Sequence, residues 1–175
     1  MFGDRKRGKG KLLFLLVVIF LFISWLSFSV LADSCNSNKI ALLGDSITVG
    51  WGPQFIQSCG NQPINYAVSG KWTPWMLTKL KSEILNKGYT HLIVLGGTND
   101  ISGGKSAPDV IANLEQIYFL ARNNNIKVIA GTIPPYNKQN SVEKNNVVKE
   151  INVWIRTQKE IGNIGGVVDF YQLLV

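Results

Sequence analysis

Between residues 39 and 170, short continuous apolar runs alternate with longer stretches in which apolar residues return every three or four positions. The runs are KIALL at 39–43, INYAV at 64–68, HLIVL at 91–95, IKVIA at 126–130 and GVVDF at 166–170. Their length and aliphatic, largely β-branched content predict five buried strands. The intervening stretches carry helix signals. Thr73-Pro74 forms a cap and first-turn pair ahead of Met76, Leu77, Leu80 and Ile84, with Gly88 as a stop. Val110, Leu114, Ile117, Tyr118 and Ala121 keep helical spacing up to the asparagines at 123–125. Ser141 opens another helix through Val147, Val148, Ile151, Trp154 and Ile155 that stops at Gly162. Residues 47–55 begin a further helix, made irregular by Gly50, Gly52 and Pro53. Strands alternating with helices predict a five-stranded parallel sheet covered on both faces, an α/β domain without repeats or low-complexity linkers.

The amino terminus breaks this pattern. Residues 12–32 carry no charge, and Arg5, Lys6, Arg7, Lys9 and Lys11 precede them. A basic cluster before an apolar run reads as a targeting segment outside the fold. Val30-Leu31-Ala32 places small residues where a signal peptidase cuts, after Ala32, yet 21 uncharged residues also suffice for a bilayer-spanning signal anchor. Either outcome keeps the basic end cytoplasmic and exports residues 33–175, giving a secreted or periplasmic protein or one anchored on the outer side of the cytoplasmic membrane. A membrane partner is expected only through this segment, if it is uncleaved.

Composition adds little beyond this: 46% apolar and 17% charged residues suit one globular domain. The net charge of +7 lies mostly in the first eleven residues, and the remainder shows no basic stripe with interleaved aromatics, so no nucleic-acid partner is expected. Export permits a disulfide between Cys35, before the first strand, and Cys59, after the first helix, with two separate thiols as the alternative. Lipid attachment at Cys35 is disfavoured by Asp33 and Ser34, where such a motif wants small or apolar residues.

Candidate chemistry gathers in three blocks, each just after a strand run: Gly44-Asp45-Ser46, residues 65–70, and Gly97-Thr98-Asn99-Asp100. In parallel sheets ligands sit outside the carboxyl ends of the strands. Ser46 there has an exposed hydroxyl beside a helix amino terminus, where negative charge is stabilised. Acyl transfer needs a nucleophile and donors aimed at a developing oxyanion. The Ser46 and Gly70 backbone amides and the Asn99 side-chain amide are candidate donors, and a side chain at 70 would block approach. Asp45 and Asp100 read as loop-tying turn aspartates. His91, the one histidine, opens its strand at the wrong end, about 16 Å from Gly96 at ~3.3 Å per residue, too far to serve as base. Lys71 as a base would require desolvation for which the sequence gives no sign.

GDSI at 44–47, N-x4-G at 65–70 and GTND at 97–100 resemble the first three blocks of the SGNH, or GDSL, hydrolase family, over roughly residues 39–171. The resemblance implies a flavodoxin-like α/β/α sandwich that hydrolyses esters or thioesters with no cofactor or metal. Ser46 would be the nucleophile, with Gly70 and Asn99 completing the oxyanion hole. The family's Asp-x-x-His is absent, and Asp169 resembles the segment before it. The expectation is therefore an exported serine esterase, truncated at its carboxyl end and inactive as it stands, acting on an O-acyl carbohydrate or a lipid ester. Its rivals are a binding protein that keeps the pocket without a base and a tethered structural domain whose blocks are only turns. Trp72, Trp75 and Tyr136 lie near the proposed edge as packing residues or as an aromatic floor.

Overall fold

The computed structural model describes Cys35, residues 38–136 and residues 141–174. The expected targeting segment and its two alternatives lie outside the described residues. Five strands, β1 (Ile40–Gly44), β2 (Ile64–Asn65), β3 (His91–Leu95), β4 (Lys127–Gly131) and β5 (Gly166–Val168), form one sheet in the order β2-β1-β3-β4-β5. Every neighbouring pair is parallel. This order is that of a flavodoxin-like doubly wound sheet, whose direction of winding reverses between β1 and β3. A crevice opens at such a switch point because the loops after the two strands depart to opposite faces.

The helices are α1 (Ser46–Ser58), α2 (Thr73–Lys79), α3 (Thr98–Ser102), α4 (Ala107–Asn123), α5 (Val142–Glu160) and α6 (Phe170–Leu173). Strand alternation divides the core. Ala41, Leu43, Leu92, Val94, Val128 and Ala130 point to the face covered by α2, α4 and α5, where they meet Met76, Leu80, Leu114, Ile117 and Ile151. Ile40, Leu42 and Ile93 point to the other face, under Trp51, Phe55 and Ile56 of α1. Apart from His91 and Lys127 at their amino ends, the central strands are apolar because both faces are covered.

Several boundaries differ from the sequence expectation. The second strand ladder ends at Asn65 rather than residue 68, although Tyr66 N still donates to Leu42 O at 2.8 Å and Val68 N to Gly44 O at 3.2 Å. The last strand ends at Val168 because Asp169 turns to cap α6, its side chain accepting from Gln172 N. The expected irregular start after Ser46 is instead a continuous 13-residue helix with Pro53 inside it. Pro53 removes one rung of that helix. Its ends are fixed by other means: Asp45 caps the amino end, and Cys59, just past the carboxyl end, is bonded to Cys35 with a Cα separation of 5.2 Å. Helix α2 continues through a wide turn over Leu80–Ile84, closed by Leu85 N donating to Leu80 O at 3.0 Å, which keeps both Leu80 and Ile84 in the core.

Since α1 is weakened by its glycines and proline, the disulfide is expected to matter to global stability. Closing a 24-residue separation constrains the unfolded chain by about 3 kcal/mol. Denaturant unfolding of oxidised and reduced protein should differ by about 2–4 kcal/mol. Intact-mass analysis should find no alkylatable thiol in the folded oxidised form, and equal stabilities would overturn the assignment.

Candidate active site

Gly44 ends β1 with its α-carbon pressed against neighbours: a Cβ there would lie 2.1 Å from Thr48 Oγ1 and 2.7 Å from Leu95 O. Only glycine lets the chain turn from β1 into α1 this close to β3. The turn buries the Asp45 carboxylate completely. Its Oδ1 accepts from Ile47 N at 2.9 Å, capping α1, and its Oδ2 accepts from Asn99 Nδ2 at 3.2 Å. Burial raises the Asp45 pKa; the Ile47 amide opposes that shift, and the nearby Asp100 charge adds to it. Ser46, the first residue of α1, is exposed, and among the described residues its hydroxyl has no hydrogen-bond partner.

The second block starts with Asn65, whose Oδ1 accepts from Ala67 N at 2.9 Å and so shapes the turn that leads to Gly70. Gly70 adopts φ +75° with nothing within 4 Å of a Cβ built there. The backbone conformation, not crowding by the protein, calls for glycine at this exposed point. The third block follows β3. Asn99 Nδ2 donates to Lys71 O at 3.0 Å as well as to Asp45, so its amide ties together the loops after β1, β2 and β3. Asp100 is buried and accepts from Thr73 N at 3.0 Å and from Thr73 Oγ1 at 2.6 Å, which seats the amino end of α2 against the β3 loop. The turn-tying role expected of both aspartates is what these bonds perform.

A fourth loop, after β4, closes the other side. Asn152 accepts from Ile133 N at 2.7 Å and donates to Ile133 O at 2.8 Å. Asn145 makes the same two-way pairing with Tyr136, at 2.8 and 3.0 Å. Tyr136 in turn donates its hydroxyl to Thr98 O and pairs with Ser102 Oγ at 2.9 Å, and burial raises its pKa. Neither asparagine was singled out from the sequence, because a helical asparagine that serves a loop on another element carries no local signal. Trp72 is partly exposed and leans on Gly103, where a Cβ would meet its ring at 2.3 Å; Trp75 packs at the margin of the larger core.

Of two further titratable residues, His91 lies at the wrong end of the sheet and Asp169 is engaged elsewhere. His91 pairs in register with Ile40 and Lys127 at the amino end of the sheet, opposite Ser46; burial and the Lys127 charge lower its pKa. Asp169 is held by Arg156 through Nε at 2.8 Å and Nη2 at 3.0 Å, and Thr132 Oγ1 donates to it at 2.9 Å. Its carboxylate is thereby used to fasten the β5–α6 corner to β4 and α5.

A model of the GDSL-like Lipase/Acylhydrolase family matches residues 42–175. The chain belongs to this family. Among solved structures, a member of the lipolytic G-D-S-L family from Veillonella parvula is 26% identical with a TM-score of 0.68, covering 76% of this chain and 78% of its own. A GDSL-like lipase from Bacteroides thetaiotaomicron is 21% identical with a TM-score of 0.67, covering 85% and 80%. An acetyl-xylooligosaccharide esterase from Geobacillus is 15% identical with a TM-score of 0.63, covering 78% and 79%; at this identity the likeness is one of fold. No curated protein matches by sequence. In this member of the family the loops after β1, β2 and β3 meet at the carboxyl edge of the sheet, joined through Asn99.

The Arg156–Asp169 pair gives a pH-dependent test. The hydrogen bonds from Arg156 come first among the causes that lower the Asp169 pKa in the folded state. A depressed carboxyl pKa contributes stability above the unfolded value and loses it as the pH falls through the folded one. With both side chains about a third exposed, Arg156→Gln should cost about 1 kcal/mol near pH 7. Urea unfolding should find that cost shrinking as the pH falls below the carboxyl's ordinary range. A cost unchanged by pH would show that Arg156 acts through packing alone.

Proposed function

We propose that this GDSL-like acylhydrolase is an exported serine esterase that works through an acyl-Ser46 intermediate. The observation that carries the reading is the exposed Ser46 hydroxyl at the amino end of α1, one residue after a buried carboxylate that also holds Asn99. In this reaction Ser46 Oγ attacks the ester carbonyl while a base takes its proton. The tetrahedral oxyanion collapses and expels the alcohol, which receives that proton. Water then attacks the acyl-serine, releasing the acid and restoring the hydroxyl.

The Ser46 and Gly70 amides and the Asn99 side chain would donate to the oxyanion. Both hydrogens of the Asn99 amide are already committed at rest, to Lys71 O at 3.0 Å and Asp45 at 3.2 Å. The longer bond is the one a substrate oxyanion would come to share. No base for Ser46 is found among the described residues, with His91 at the opposite end of the sheet. A general base for Ser46 would have to come from outside the described residues. The substrate is an ester of a carbohydrate or a lipid, and the basic and apolar residues 5–32 support export. The position of His91 also supports a second reading, a binding protein that keeps the crevice without turnover.

The 175-residue chain should be nearly inactive on p-nitrophenyl acetate, since an unassisted serine hydroxyl is a weak nucleophile near neutral pH. A version extended by an Asp-x-x-His segment should hydrolyse the ester and lose activity on Ser46→Ala. In that version Asn99→Ala should lower kcat by roughly 10²–10³. Robust turnover by the short chain, abolished by Ser46→Ala, would mean that a different base operates. Continued inactivity of the extended form would favour the binding protein.

A further inference from the structure

The candidate edge is flanked on both sides by a lysine ammonium set over an aromatic face. On the β2 side, Lys71 Nζ lies 5.5 Å from the centre of the Trp75 ring, and Lys79, four residues further along, lies 5.8 Å from the same ring. On the β4 side, Lys144 Nζ lies 5.6 Å from the centre of the Tyr136 ring. Each pair is fastened to the loop that carries Asn99. The Asn99 amide donates to Lys71 O at 3.0 Å, and the Tyr136 hydroxyl donates to Thr98 O. The two pairs therefore stand on either side of the Asn99 loop, with Lys71 directly following Gly70.

The charges at this rim are unequal. Asp45 and Asp100 are buried, with their oxygens accepting from Ile47, Asn99 and Thr73. Lys79 is paired with Glu83 at 3.1 Å, and Glu143 stands exposed beside Lys144. Lys71 has no ion-pair partner among the described residues, and its ammonium lies over the Trp75 ring. An ammonium over a ring keeps its outer side hydrated and available to an anion.

We propose that the site selects esters carrying a carboxylate, with Lys71 receiving the carboxylate. Lys144 reinforces the positive potential from the opposite flank. The proposal rests on the esterase reading for the orientation of the ester toward Ser46, while the anion preference is a property of the rim and is measurable without turnover.

The test is a titration of the full chain, followed by amide NMR shifts, with monomethyl succinate and with methyl levulinate, a neutral ester of nearly the same shape. The carboxylate ester should bind about two- to fivefold more tightly at low salt, a range suited to exposed charges, with shifts centred on Gly70, Lys71 and Trp75. Lys71→Gln should abolish the preference, as should about 0.5 M salt, whereas Lys149→Gln on the exposed side of α5 should leave it intact. Equal affinity for the two esters, no binding of either, or shifts confined to other regions would each overturn the proposal. Labelling of Ser46 by a neutral phosphonate is read separately in the base-supplied form. Absent labelling with the anion preference intact would sink the esterase reading and leave this one standing.

Discussion

The buried Asp45 carboxylate is the contact on which the candidate site depends. One of its oxygens caps α1, so it sets where that helix begins and hence where Ser46 stands. The other accepts from Asn99, so the same group fixes the β3 loop against the β1 loop. A carboxylate taken out of water keeps its charge only at a cost, which is why its pKa is raised. The two hydrogen bonds and the positive end of the α1 dipole offset part of that cost. Joining the two loops at the switch point through one buried group leaves little freedom for Ser46 and Asn99 to separate.

The remaining loops are attached outward from that centre. Asp100, the next residue after Asn99, seats α2 through both the amide and the hydroxyl of Thr73. Lys71 is thereby brought under Asn99, and Gly70 immediately before it. On the opposite flank, Asn145 and Asn152 of α5 grip the backbone of the β4 loop and deliver Tyr136 to the carbonyl of Thr98. Each is a polar group satisfied in a place of partial or full burial, where an unmade bond would cost about 1–3 kcal/mol. Both flanks are thus tied by hydrogen bonds, while Ser46 and Gly70 between them stay exposed.

Much of the architecture can be read from local pattern. Five aliphatic runs separated by helical periodicity require a covered parallel sheet, and all five strands lie within one residue of a run at their amino ends. What failed were the places where a side chain overrides propensity. Asp169, inside a run that reads as strand, turns the chain because Arg156 and Thr132 hold its carboxylate. Residues 46–58 form a full helix despite Gly50, Gly52 and Pro53, because Asp45 and the Cys35–Cys59 bond hold its two ends. The short helix α3 after Gly97 has too few residues for any period to reveal it.

Local pattern along the chain sets the α/β class, the placement of Ser46, Gly70 and Asn99 after successive strands, and the exclusion of His91 from their edge. Those follow from periodicity and from the fixed rise of a strand, both local properties of the chain. Folding alone brings both Asn99 amide hydrogens to Asp45 and Lys71 and places Asp169 in an ion pair with Arg156. It also decides which helices share a face and which ring each lysine covers. These depend on contacts between residues far apart along the chain, and their geometry exists only once the sheet has brought the loops together.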